Sequence, residues 1–369
     1  MSVKLVLLGG FLGAGKTTTL IRAAHMFQSA GQNVAVITND QGTELIDTEL
    51  SRLNELNTEE VTGGCFCCRF NELYDKLISL KSQFRPDVII AEAVGSCTDL
   101  AATVIRPLKQ YYGKEFDVAP LTVVVDPGRI LSEIGPKEKI NFSRSVSYIF
   151  DKQLSEADII ALNKIDKYEE RCINDLEDYL QKRYPTAVIH TFSAHRGDNM
   201  ERLLDLWRTL NISGEKALDI DYDKYAQGEA KLAWLNSLID LSVDEANHFD
   251  AKLWMHMFLD KLHEHFLREK MAIAHLKVYV GSDNGFIKAS IVETGDTPTY
   301  IVKEPVNGQE FRVVINIRIE TEPELLSLVV ADALAIINKE MKVKWKQTYH
   351  ECFSPLPPNP THRLRVAAK

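Results

Sequence analysis

Gly10-Phe11-Leu12-Gly13-Ala14-Gly15-Lys16-Thr17 is the stretch on which the fold turns. It has the form G-x-x-x-x-G-K-[S/T], follows the apolar run 4–8 and opens a stretch with helical spacing, the setting in which this motif cradles phosphate. Phosphate oxygens are met by backbone N–H groups, so the loop needs glycines that approach closely and take unusual dihedrals. Gly10, Gly13, Ala14, Gly15, Lys16, Thr17 and Thr18 form the candidate cradle. Within it Lys16 would neutralise the β- and γ-phosphates and Thr17 would offer its hydroxyl to Mg²⁺. The alternative, a glycine-rich turn that binds nothing, fits the strand–loop–helix setting poorly.

Outward from this loop, apolar β-type runs at 4–8, 33–37, 88–91, 122–125, 159–162 and 188–192 alternate with helical stretches. That alternation predicts an α/β fold: a P-loop NTPase domain with a mostly parallel sheet covered on both faces. The texture changes near residue 211. Residues 211–270 read as strongly helical, with Phe249, Leu253, Phe258, Leu262 and Phe266 as an apolar stripe. Strand-like runs at 275–280, 286–292 and 311–319 and a helix over 322–341 follow. The division expected is a P-loop domain at 1–212, a helical connector at 213–270, a small C-terminal α+β domain at 271–350 and a loose tail at 351–369, where Pro-Leu-Pro-Pro begins at Pro355.

Bulk properties narrow the class. The chain has 369 residues, 45% hydrophobic and 26% charged, which suits a folded protein of more than one core. A formal charge of −9 argues against nucleic acid as a partner. No apolar run approaches the roughly 18 residues of a membrane span. The amino-terminal residues read as a strand and a loop rather than a signal peptide. The six cysteines are too few for a disulfide scaffold, which points to a reducing compartment and a cytoplasmic protein.

The nucleotide base is addressed by Asn163-Lys164-Ile165-Asp166, directly after the run 159–162, where parallel sheets place their ligands. Guanine presents two donors, N1–H and the exocyclic amine, and the Asp166 carboxylate accepts both. Adenine presents an acceptor at N1 and is repelled, so GTP and GDP are the expected nucleotides. Lys164 would lie along the base, Asn163 would tie the loops together, and Ser193-Ala194 would offer a backbone N–H to guanine O6. The bland reading of the same letters is a polar helix cap starting at Asp166.

Glu92 ends the buried run 88–91 and precedes Gly95, an E-x-x-G spacing that puts an acid near Mg²⁺ and a glycine near the γ-phosphate. Asp126, which ends 122–125, competes for the metal role, and Glu92 is preferred. Gly63-Gly64-Cys65-Phe66-Cys67-Cys68 adds three thiols in four positions after two glycines, a set that converges on one soft cation. Zn²⁺ suits it, Co²⁺ acceptably, and three ligands leave one tetrahedral position open for a donor of metal. A redox switch and a buried apolar cluster are the other readings. Cys97, Cys172 and Cys352 read as isolated core thiols. His248, His256, His263, His265 and His275 are scattered; His256 and His263 would share a helix face, and surface or boundary roles are expected.

The order P-loop, Gly-Gly-Cys-x-Cys-Cys, E-x-x-G, N-K-x-D resembles the CobW-type metallochaperone GTPases, relatives of the GTPases that help insert nickel into urease and hydrogenase. The likeness covers about residues 3–210. It implies GTP at Gly10–Thr17, base reading by Asn163, Lys164 and Asp166, and cargo metal on Cys65, Cys67 and Cys68. Asn39-Asp40-Gln41-Gly42, with Glu44 and Asp47 after it, resembles the switch segment of that family, where the second residue is usually glutamate. Asp40 is one methylene shorter, and its role as Mg²⁺ or γ-phosphate sensor carries over less directly.

These readings converge on a GTP-hydrolysing metallochaperone in which GTP and Mg²⁺ order 39–47 and gather the thiolates, and hydrolysis loosens them for a client metalloprotein or cofactor enzyme. No residue identifies itself as the group that positions water, so slow intrinsic hydrolysis is expected. Self-association into a homodimer is left open. The alternatives are a GTP-dependent switch or reactivase acting on a corrinoid or other cofactor enzyme with the cysteines as redox sensor, a small-molecule kinase, and a passive GTP-binding scaffold.

Overall fold

A computed structural model describes residues 2–39, 56–135, 140–212, 214–216, 218–244 and 249–364. Among these, Val3–Gly9 (β1) is an almost continuous apolar run, buried along nearly its whole length. Such a strand needs cover on both faces, and a parallel sheet flanked by helices provides it. The strands around it are Val34–Asn39 (β2), Asn57–Val61 (β3), Val88–Glu92 (β4), Phe116–Val118 (β5), Thr122–Val125 (β6), Ile159–Leu162 (β7) and Val188–Thr191 (β8). Their order is β3-β2-β4-β1-β6-β7-β8, and all the pairings are parallel. β5 pairs with the first residues of β1 and β6 with its last, so β1 is shared end to end.

The helices between strands are Lys16–Ser29 (α1), Phe70–Phe84 (α2), Arg106–Tyr112 (α3, continuing a π-helical turn at Ala101–Ile105), Pro127–Ile134 (α4), Arg144–Glu156 (α5), Glu170–Arg183 (α6) and Met200–Thr209 (α7). Leu20, Ala23, Phe27, Leu203 and Trp207 cover one face of the sheet, and Phe70, Leu73, Leu77, Val146 and Ile149 the other. The carboxyl ends of β1, β2, β4, β6 and β7 open toward one edge, where the candidate residues gather.

After Tyr222–Ala230 (α8) the chain forms a second, antiparallel sheet from Leu232–Ser242 (β9), Ile273–Gly281 (β10), Phe286–Ile291 (β11), Thr299–Lys303 (β12), Glu310–Glu320 (β13) and Lys344–Phe353 (β14), in the order β12-β11-β10-β13-β9-β14. Ala251–Arg268 (α9) and Pro323–Glu340 (α10) cover one of its faces with Trp254, Phe258, Leu262, Leu334 and Ile337. β9 lies inside the stretch expected to be helical. Its sequence, LAWLNSLIDLS, is buried along most of its length. A run so rich in apolar residues satisfies helical and extended periodicities alike. In the structure its alternation decides which neighbour each side chain meets. Ala233, Leu235, Ile239 and Leu241 face the α9–α10 layer, whereas Leu232 and Trp234 join the core of the first domain.

The tail departs from expectation as well. β14 runs through Phe353, and residues beyond it return to the first domain. Thr361 N–H donates to the Cys67 carbonyl (2.9 Å), Leu364 N–H to the Ala102 carbonyl (2.9 Å), and the Arg363 guanidinium to Asp99 (2.7 Å). Proline leaves a segment without regular structure, but backbone donors and one arginine still bind it down. No helix among the described residues is long and apolar enough to cross a membrane.

Candidate nucleotide and metal site

β1 runs straight into the glycine loop, and α1 begins at Lys16. Gly15 adopts φ +94°, and a Cβ there would lie 2.5 Å from Asn163 Nδ2, so glycine is required on both counts. The Asn163 carboxamide explains the closeness. Its Nδ2 donates to the Ala14 carbonyl (3.0 Å), and its Oδ1 accepts from Ala194 N–H (2.9 Å). One buried side chain therefore joins the loops that follow β1, β7 and β8. Lys164 donates Nζ to the Gly13 carbonyl (2.7 Å) and to Asp126 (2.5 Å), and Ser193 Oγ donates to Asp166 Oδ1 (2.5 Å). Asp166 thus stands at the mouth of the site with Ser193 orienting its carboxylate. Thr18, on the first turn of α1, is exposed.

Within the loop, Lys16 Nζ donates to the Gly10 (2.9 Å) and Phe11 (3.3 Å) carbonyls, folded over the concave face that its ammonium would share with phosphates. Thr17 Oγ1 donates to Glu92 Oε1 at 3.0 Å, with both groups buried. A hydroxyl and a carboxylate adjacent beside a phosphate loop are the oxygen donors that a hard divalent cation takes, so the chain fits Mg²⁺. Asp126, the competing acid, is engaged elsewhere. It caps α4 through Gly128 N–H (2.9 Å) and pairs with Lys164. Burial pushes its carboxyl up, but Lys164 and the Gly128 N–H outweigh this and hold it below the ordinary range. Gly95 packs under the phosphate loop: a Cβ there would lie 2.6 Å from the Leu12 side chain and 2.9 Å from Leu12 N.

The cysteine turn is built from β2. Asn39, its last residue, donates Nδ2 to the carbonyls of Val61 (2.9 Å) and Gly64 (2.8 Å) and accepts from Phe66 N–H (3.0 Å). Phe66 is fully buried and anchors the turn, which closes by bonds from Cys68 and Arg69 N–H to the Cys65 carbonyl. Cys65, Cys67 and Cys68 bring their sulfurs within 4.8 Å of one another. The separations are 2.7 Å for Cys65–Cys67, 3.4 Å for Cys65–Cys68 and 3.8 Å for Cys67–Cys68. The turn is overlaid by the tail. Asn359 N–H donates to Cys68 Sγ (3.2 Å), Thr361 Oγ1 donates to the Cys68 carbonyl (3.1 Å), and the His362 ring meets Phe70 edge-on.

Cys97 is not the isolated thiol expected from the sequence. It is fully buried with Sγ 3.7 Å from Cys67 Sγ, brought there by the loop that follows Glu92. Hydrogen bonding with Cys65 and Cys67 pulls the Cys97 thiol down to about 6 against its burial, while bonding with Cys65, Cys68 and Cys97 pushes Cys67 well up.

Other functional candidates escaped the sequence because they are distant along the chain. Gln153 of α5 donates to the Gly95 and Cys97 carbonyls (2.9 Å each), Ser96 Oγ donates to Glu229 (2.6 Å), Thr98 Oγ1 to Glu156 (3.1 Å) and the Tyr222 hydroxyl to Asp99 (2.8 Å). Residues 95–99 are thus held at every position. The second sheet also reaches the phosphate loop: a Cβ on Gly13 would lie 3.0 Å from the Ala274 carbonyl and from Val292. Asp40, Gln41, Gly42, Glu44, Asp47 and His248 lie outside the described residues. The remaining histidines do not converge. His263 accepts from Gly295 N–H (2.7 Å), His256 pairs with Asp260, and His275 is buried on β10, its imidazole held well below the usual range by burial.

The sequence matches the family described as CobW/HypB/UreG, nucleotide-binding domain, over residues 4–191. Similar proteins include the zinc chaperone CobW of Pseudomonas aeruginosa, 26% identical over 243 residues, which are 58% of this chain and 60% of that protein. The zinc-regulated GTPase metalloprotein activator 1 of Schizosaccharomyces pombe is 29% identical over 215 residues, 55% of this chain and 49% of that protein. The zinc chaperone YjiA of Escherichia coli is 36% identical over 99 residues, 25% of this chain and 30% of that protein. The matched part therefore spans from about a third to three fifths of these relatives' length. With its phosphate loop, Asn163–Asp166 and cysteine turn all inside or at the edges of one parallel sheet, the chain belongs to the CobW/HypB/UreG family, whose nucleotide-binding domain it carries over residues 4–191.

Proposed function

We propose that the chain is a GTP-binding, slowly GTP-hydrolysing metallochaperone that holds a thiophilic metal, Zn²⁺ or Co²⁺, on Cys65, Cys67 and Cys68 and passes it to a client protein in the cytoplasm. The observation that carries this reading is the position of Asn39. Its carboxamide holds the cysteine turn by three hydrogen bonds from the end of β2, the neighbour of β4, whose Glu92 meets Thr17 of the phosphate loop. A change at the nucleotide thus has a short, hydrogen-bonded route to the sulfurs. Relatives named zinc chaperones and a zinc-regulated GTPase support zinc as the cargo.

Each residue has a stated part. Lys16 and the loop N–H groups bind the triphosphate, and Asp166 accepts the two donors of guanine. Thr17 and Glu92 would hold Mg²⁺, which when bound neutralises charge on the β- and γ-phosphates. Cys65, Cys67 and Cys68 lose their protons as they bind the cargo. The test is a Zn²⁺ titration of the full chain with a non-hydrolysable GTP analogue and with GDP, repeated on Cys67→Ala. Linkage requires that metal binding and nucleotide affinity change together. Equal metal affinity in both nucleotide states would refute the coupling, and no metal binding in either would refute the chaperone reading.

One observation favours a second reading. Cys65 and Cys67 sulfurs are only 2.7 Å apart, close enough for oxidation to join them with small movement. A GTP-dependent switch or reactivase with a redox-sensing thiol pair would show a Cys65–Cys67 disulfide by mass spectrometry in metal-free protein.

A further inference from the structure

The loop after β4 turns straight back toward the cysteine turn. Cys97 N–H donates to the Val94 carbonyl at 3.0 Å, and Gln153 Nε2 bonds the carbonyls of both Gly95 and Cys97 at 2.9 Å. Buried hydrogen bonds from Ser96 and Thr98 fix the residues on either side. Framed by these bonds, the Cys97 side chain points to where sulfur is already gathered. Its Sγ is 3.7 Å from that of Cys67, which lies 3.8 Å from Cys68 Sγ, while Cys65 Sγ lies 3.4 Å from Cys68 Sγ.

Four thiolates at about 2.3 Å from Zn²⁺ form a tetrahedron with edges of about 3.8 Å. Three of the sulfur separations are already within about 0.4 Å of that edge. Cys65–Cys67, at 2.7 Å, must open by about 1 Å, and Cys97, whose sulfur is not within 4.8 Å of all three others, must move inward from its contact with Cys67.

We propose that Cys97 supplies a fourth thiolate to the cargo metal, from the loop that Glu92 and Gly95 link to the phosphate site. The inference rests on the metal-binding reading of Cys65, Cys67 and Cys68. Each ligating thiol gives its proton to solvent, and the resulting four-thiolate site is closed. Because Glu92 meets Thr17 and Gly95 packs on Leu12, a shift of this loop with nucleotide state withdraws one sulfur and leaves three. The open position then accepts a ligand from the client. Retention and release differ by one bond, without dismantling the cysteine turn.

The test uses the full chain, Co²⁺ as probe, and a GTP analogue or GDP, with wild type, Cys97→Ser, Cys97→Ala and Cys67→Ala compared. In the analogue state, loss of one sulfur bond in four lowers the thiolate-to-cobalt charge-transfer absorbance of both Cys97 variants to about three quarters, with metal affinity down about tenfold or more. It also removes the difference between analogue and GDP. Wild-type absorbance and affinity in the Cys97 variants, with binding lost in Cys67→Ala, overturn the inference and leave the chaperone reading intact. Unchanged binding in Cys67→Ala as well refutes that reading and the inference together. X-ray absorption of the wild type loaded with zinc and the GTP analogue is independent of any variant's folding: four sulfur neighbours in that state support a role for Cys97, and three with one oxygen or nitrogen exclude it.

Discussion

Asn39 Nδ2 lies 2.8 Å from the Gly64 carbonyl, so the last residue of β2 holds the turn that carries the cysteines. The same carboxamide binds Val61 and Phe66, and all its partners are backbone groups. An asparagine is needed because the site requires a donor and an acceptor on one short planar group.

Replacing Asn39 by alanine leaves two carbonyls and one N–H without this partner in a buried place. The expected cost is about 2–3 kcal/mol of stability, read as a lower urea midpoint. Metal affinity should fall about tenfold as the turn loosens, roughly 1.4 kcal/mol. Asn39→Asp keeps the acceptor for Phe66 N–H but turns a carboxylate toward two carbonyls, and should be no better. Zn²⁺ titration of both variants checks this, and wild-type affinity in Asn39→Ala would remove the proposed link between β2 and the metal.

In the proposed function Asp166 carries base recognition, and Ser193, just beyond β8, donates to its carboxylate. Asp166→Ala deprives guanine of an acceptor for two donors. GTP affinity should drop by roughly 100-fold, or about 2.7 kcal/mol, while weak ATP binding stays unchanged. Competition binding with labelled GDP measures both. A parallel loss of GTP and ATP binding would show that Asp166 serves the loop's structure and not the base.

What the sequence disclosed and what it hid follow from distance along the chain. The phosphate loop, Asn163–Asp166 and the cysteine turn are contiguous, and their chemistry shows in a few letters. The parallel sheet was equally plain, because β1, β4, β6 and β7 are apolar runs with helices between them. The contacts of Asn39, Cys97 and Gln153 hid because their partners lie 25, 30 and 56 residues away, with no spacing rule to connect them. β9 was misread because a strand buried on both sides loses the alternation that identifies strands. The tail was read as loose from its prolines, although Arg363, which holds it, is visible only beside its partner Asp99.

That contact joins a buried carboxylate to the strap lying over Cys68. Asp99 is 2% exposed and also accepts from the Tyr222 hydroxyl. Arg363→Ala removes a guanidinium partner from a buried acid and should cost about 3 kcal/mol. It should also free Asn359 and Thr361 from the cysteine turn, so that Cys68 reacts several times faster with iodoacetamide. Arg363→Lys, with a shorter and single-pronged donor, should fall between the two. Alkylation followed by peptide mass spectrometry reports the site; unchanged reactivity in Arg363→Ala would mean the strap stays docked without this ion pair.

Glu156 gives the last prediction, a pH dependence of stability. Its carboxyl is buried, faces the charge of Asp99, and is pushed up to about 8 from an ordinary value of 4.5, although Ala101 N–H and Thr98 Oγ1 both favour its ionised form. The folded protein therefore holds a proton that the unfolded chain releases near pH 4.5. Unfolding loses that proton, so stability contributed by the protonated acid is full below about pH 4.5 and declines as pH rises to about 8, by on the order of 5 kcal/mol at most. Glu156→Gln is neutral throughout. It should be less stable than wild type at pH 5, where its amide faces the Ala101 or Thr98 donor, and should gain steadily on wild type toward pH 8.5. Comparing the two isolates Glu156 from Cys97, whose thiol is pulled down into the same window. Urea midpoints at four pH values between 5 and 8.5 would show the curves converging or crossing, and parallel curves would mean that Glu156 is ionised in the folded state.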